Sequence, residues 1–73
     1  MWVRSQDRKI LIEIHNLDID DINQIWDCSS LLGKYSSEEK ALKVIDEIQE
    51  LIYFNAKDNG FTYQMPQDEE VEA

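Results

Sequence analysis

Apolar residues recur along this chain in two rhythms, a period of two near both ends and a period of about 3.6 between them. In "KILIEI" (9–14), Ile10, Ile12 and Ile14 alternate with Leu11, Glu13 and His15, the pattern of a half-buried strand. Trp2–Ser5 precedes it, and a tight turn near Gln6–Arg8 predicts an antiparallel hairpin. Asp18, Asp20 and Asp21 discourage a strand interior, so the chain is expected to turn near Asp20–Asp21 and then run extended over Ile22–Cys28. "LLGKY" (31–35) predicts an edge strand in which Gly33 permits a bend or bulge.

The helix is the clearest element. Ala41, Val44, Ile45, Ile48, Leu51, Ile52 and Asn55, widened by Leu42, trace one apolar face. Ser36 is the expected N-cap, with Glu39 three residues later completing a capping box. Lys40, Lys43, Glu47 and Glu50 then belong to the wet face. Asp58-Asn59-Gly60 suits the end of the helical run, and Phe61–Met65 alternates as a final strand. Pro66 has no N–H to donate and stops that ladder. The expected fold class is α+β: a small antiparallel sheet of about four to five short strands with one amphipathic helix packed on one face. Residues 1–66 make a single domain, and residues 67–73 an acidic, disordered tail.

Seventy-three residues leave a thin folding margin, and self-association into a homo-oligomer is one common supplement. Cys28 is the single cysteine, so no internal disulfide forms, and Cys28 with His15 makes no zinc site. That usage fits a reducing cytosol. No signal-peptide pattern opens the chain, and no apolar run reaches the roughly 18 residues of a membrane span. The net charge of −9 opposes direct nucleic-acid binding, which needs a cationic footprint. Arg4, Arg8 and Lys9 concentrate positive charge in the first hairpin, which leaves room for a small anionic ligand.

Catalytic signatures are weak. An EF-hand loop counted from Asp18 has Asn23 where glycine is required and Ser29 where glutamate is required. Nothing local activates Cys28 as a nucleophile with His15 as base. No phosphate loop or G-x-S-x-G turn is present, so the expectation is a non-enzyme with no cofactor and no metal. The candidate ligand site is the polar run after the first strand. Arg4 offers a donor fork, Ser5, Gln6 and Asp7 offer polar groups for a ribose or base, and Trp2 offers a stacking ring. Tyr63 and Met65 share a face of the last strand and are placed to border the same ligand or a second copy. The competing reading is a plain hairpin turn in which Asp7 caps backbone amides. Trp26 and Phe54 are expected in the core.

Three blocks of the sequence occur together: "MWVRSQDRK" (1–9), "GKYSSEEKALKVIDEIQ" (33–49) and "QMPQD" (64–68). In combination they resemble a set of small phage- and prophage-encoded proteins of Gram-positive bacteria, with residues 15–32 as the variable part. The resemblance implies phage origin and a bacterial host cytosol, and by analogy with other very small phage proteins that lack an enzyme's machinery, a role against host defence. The leading expectation is a counter-defence protein that sequesters a small anionic nucleotide immune signal, cyclic or cyclic ADP-ribose-like, in an oligomer pocket. The alternative is an acidic protein-interaction inhibitor that mimics nucleic acid toward a host defence nuclease or regulator. A phage housekeeping module is a third possibility.

Overall fold

The computed structural model describes residues 1–55 and 62–72. The chain is α+β, and the described residues form six short strands in two three-stranded sheets and one α-helix. The strands are β1 (Trp2–Arg4), β2 (Leu11–Glu13), β3 (Leu17–Ile19), β4 (Gln24–Asp27), β5 (Ser30–Lys34) and β6 (Thr62–Gln64), and the helix α1 is Glu38–Asn55. In place of one sheet of four to five strands there are two, ordered β2-β1-β6 and β3-β4-β5. The first holds a parallel pair: β1 runs antiparallel to β2 and parallel to β6. A parallel neighbour needs a long crossover, here everything from β2 to the end of α1.

The β1–β2 hairpin forms where alternation placed it. Ile10, Ile12 and Ile14 pack toward the core while Leu11, Glu13 and His15 face outward. β3 was not expected, because Asp18 lies in its centre. Its side chain points to solvent beside Trp26 on β4, and Leu17 and Ile19 turn inward. Asp20 then builds the turn: its carboxylate accepts from the Ile22 and Gln24 amides at 3.0 and 2.9 Å and from the Trp26 indole at 2.8 Å. Trp26 is therefore half-buried rather than core. β5 carries the bulge expected near Gly33: Ile25 pairs with Gly33 and Trp26 with Leu31, leaving Leu32 as the extra residue. A side chain at Gly33 would strike the Tyr35 ring, whose nearest carbon would lie 2.9 Å from the added Cβ.

The helix cap sits one residue later than expected. Ser37 Oγ accepts from the Lys40 amide at 3.2 Å, so Ser37 is the N-cap and no Ser36–Glu39 box forms. Ala41, Val44 and Ile48 are buried, with Ile45 and Leu51 half-buried beside them. The apolar stripe is narrower than its periodicity implies: Leu42 and Ile52 are exposed, and Phe54 is 72% exposed instead of core. The core joins both sheets to the helix through Val3, Tyr63 and Met65 on one side and Ile25 and Leu32 on the other. Asp58-Asn59-Gly60 and Phe61 lie outside the described residues.

Of the segment expected as a disordered tail, residues 67–72 are described and are seated on the fold. A single 3-10 turn spans Asp68–Glu70, and the Gln67 amide donates to the Glu70 carboxylate at 2.7 Å. Asp68 accepts from the Ser36 amide at 2.8 Å and pairs with Lys40 at 3.5 Å, while Val71 packs on the core. Those partners sit 28 and 32 residues away in sequence, beyond the reach of a local compositional argument.

Candidate functional site

The polar run after β1 forms a turn in which the Ser5, Gln6 and Asp7 side chains all bond to the protein itself. Arg8 takes a positive φ of 67°, which closes the loop tightly. Ser5 is fully buried; its hydroxyl donates to Asp7 at 2.5 Å and accepts from the Ile10 amide at 3.0 Å. The Asp7 carboxylate also accepts from the Lys9 amide at 2.9 Å. The Ser5 hydroxyl and the Lys9 amide together hold the Asp7 carboxyl below its ordinary range. Arg4 Nε donates to the Arg8 carbonyl at 3.0 Å.

Gln6 is the joint between distant parts. Its amide nitrogen donates to the carbonyls of Lys34 and Pro66 at 3.0 and 3.2 Å, and its oxygen accepts from the Lys34 amide at 2.9 Å. Its backbone N–H reaches the bulge carbonyl of Leu32 at 2.7 Å. Gln67 donates back to the Gln6 carbonyl at 2.9 Å, Gln64 to the Ser5 carbonyl at 2.9 Å, and the Tyr35 hydroxyl to Pro66 at 2.8 Å. Residues from the stretches 1–9, 33–49 and 64–68 thus converge on one knot.

The candidate ligand residues are not brought to one cavity. Trp2 and Arg4 lie on the exposed outer face of the first sheet, while Val3 between them is buried. Tyr63 pairs in register with Val3, and both Tyr63 and Met65 are buried on the inner face. A three-stranded sheet separates the two sets, so Tyr63 and Met65 cannot close a site over Trp2 and Arg4. Gln6 and Asp7 border a recess of 250 Å³ with Leu31, Leu32, Gly33 and Lys34. That falls below the roughly 300–1,000 Å³ of small-molecule pockets.

Larger concavities flank α1, at residues the sequence reading did not single out. A groove of 520 Å³ runs between α1 and the C-terminal segment, walled by Asp46, Glu47, Glu50, Glu70 and Glu72 with Lys43, over Val44, Pro66 and Val71. A second recess of 440 Å³ is bounded by Asp46, Gln49, Glu50, Tyr53 and Phe54. Asp46 and Glu50 belong to both, so the two join into one surface along the helix. At its end Tyr53 is 79% exposed and meets Phe54 edge to face, with ring centroids 4.9 Å apart. The available signal was the row of acids at helical spacing opposite the apolar stripe, and an aromatic pair falling beyond it.

Other candidate chemistry is quiet. Cys28 is exposed in a turn at φ 53°; Asp27 beside it raises its thiol pKa, which favours the less reactive protonated form. Buried Asp27 accepts the backbone amides of His15 and Asn16 at 3.0 and 3.4 Å, a structural task. Among the described residues no cluster of three or more His, Cys, Asp or Glu side chains is arranged to hold a metal ion, and no helix is long and apolar enough to cross a membrane. Comparison with protein families, curated proteins and solved structures finds no match to this chain.

Proposed function

We propose that this chain is a non-catalytic protein-binding module, and that its contact surface is the acidic flank of α1 with the Tyr53–Phe54 pair at its end. One observation carries the reading: the two concavities along the helix share Asp46 and Glu50 and are lined mainly by carboxylates and exposed aromatics. Among the described residues the single direct ion pair is Lys40–Asp68, so Asp46, Glu47 and Glu50 make no salt bridge to a described basic side chain, and Lys43 alone offsets the five carboxylates of the groove. Unpaired carboxylates beside exposed rings suit a basic partner surface, since the charges steer association and the rings supply apolar contact. The resemblance to phage-encoded proteins makes basic host proteins, defence nucleases and regulators among them, the partners to try first. Retention of a nucleotide is the weaker reading, because its ligand residues lie on opposite faces of a sheet.

Fluorescence anisotropy with a labelled basic amphipathic peptide tests the surface. The native chain is expected to bind, and Asp46→Lys with Glu50→Lys to weaken binding by more than about tenfold, with strong salt dependence. Binding that ignores both the charge reversal and the salt would remove this reading.

A further inference from the structure

β2 lies at one margin of the first sheet, with β1 on one side and no described strand on the other. The hydrogen bonds at its two ends fix where its backbone groups point. The Ser5 amide donates to the Ile10 carbonyl at 2.8 Å, and the Ile14 amide to the Met1 carbonyl at 3.1 Å. Bonded and unbonded residues alternate along an antiparallel pair. Ile10, Ile12 and Ile14 therefore turn their carbonyls and amides toward β1, while Leu11 and Glu13 turn theirs to the open side. Among the described residues no backbone partner meets Leu11 or Glu13 there. Leu11 is 55% exposed. Lys9 and Glu13, on the same face, are exposed and make no ion pair with a described residue. The other margins suit pairing less well. Gln6 already occupies the edge of β5 through Leu32 and Lys34. β3 carries Asp18 at its centre, where two copies would bring carboxylates together. β6 leads into Pro66, which has no amide to give.

We propose that β2 pairs antiparallel with β2 of a second copy about a two-fold axis at Leu11, joining the two three-stranded sheets into one. The inference does not depend on the α1 surface. Side chains select this register. Leu11 meets Leu11 of the second copy, and Lys9 stands directly opposite Glu13 on each side of the axis, the closest placement for opposite charges across strands. On the inner face Ile10 and Ile12, half-buried at the sheet margin, meet Ile12 and Ile10 of the second copy and gain apolar cover. The two Leu11 residues exchange a pair of backbone bonds, and each Glu13 amide donates to the facing Lys9 carbonyl. The Lys9 amide is already held by Asp7 at 2.9 Å, so the ladder ends there. A two-fold contact uses the same edge on both copies, which closes the assembly at a dimer.

Sedimentation of the full chain between about 10 μM and 1 mM should show the mass rising from monomer to dimer and no further, the weak range that fits so short an edge. Over the same series, amide exchange should slow at least about fivefold at Leu11 and Glu13, and less at Ile12, whose amide is already bonded to β1. Lys9→Glu and Glu13→Lys each set like charges across the axis and should weaken the dimer about tenfold. An equal mixture of the two variants sets glutamates against lysines and should form a heterodimer at least as tight as the native dimer. A monomer throughout the range, exchange at Leu11 and Glu13 that ignores concentration, or a mixture no tighter than its components would each overturn the proposal. Exchange is read on the native chain, so it decides even where a variant fails to fold.

Discussion

The turn after β1 and the groove beside α1 are both rich in polar side chains, yet they differ in what those side chains are bonded to. In the turn, Ser5, Gln6 and Asp7 are tied to backbone amides and carbonyls of their own chain. In the groove, Asp46, Glu47 and Glu50 make no direct salt bridge to a described basic side chain. A bonded polar group holds the fold; an unbonded one is available to a second molecule. The eye is drawn to the turn because its residue types look like a ligand site, but residue type says nothing about whether the bonds are already made.

Substitutions at the two regions should therefore separate stability from binding. Gln6→Ala should have the largest effect on folding. It removes three side-chain hydrogen bonds that hold Lys34 and Pro66, at a cost of about 2–4 kcal/mol by urea denaturation. Gly33→Ala comes next: the Tyr35 ring must move, and with it the hydroxyl that anchors Pro66, for about 1–3 kcal/mol. A native midpoint in Gln6→Ala would show that the knot is incidental and would reopen the turn as a site.

Acid sharpens the same contrast. Hydrogen bonds from Ser5 and Lys9 lower the Asp7 pKa, and those from Ser36 and Lys40 lower that of Asp68. At Asp20, burial pushes upward but the Gln24 amide, the Trp26 indole and the Ile22 amide outweigh it. Each folded pKa lies below the ordinary value of 3.8, so the unfolded chain takes up protons first. Their stabilisation is full above that value and drains away as pH falls below it. A thermal midpoint that holds steady below pH 3.8 would contradict these assignments. The smallest folding effect belongs to the groove, where Glu50→Gln should shift stability by no more than about 0.5 kcal/mol. There the change should appear in peptide binding instead.

Local pattern was enough for some elements. The alternation of Ile10, Ile12 and Ile14 and the 3.6-residue spacing of Ala41, Val44 and Ile48 each depend on backbone geometry within a few residues, and both appear as read. The same holds for the turn at Asp20 and the bulge beside Gly33. Where the apolar stripe of α1 stops being covered was not legible. Leu42, Ile52 and Phe54 are exposed, and which part of an apolar stripe is covered depends on elements distant in sequence.

By itself the amino-acid order determined an α+β chain, one amphipathic helix, an antiparallel hairpin and an acidic surface. Tertiary structure alone decided that the strands divide into two sheets, that β6 joins β1 in parallel, and that the acidic C-terminus folds back onto Ser36 and Lys40. It also decided that Trp2 and Tyr63 face opposite ways. The physical reason is range: periodicity and capping act within a turn or two, whereas which polar groups find partners is settled by residues tens of positions apart.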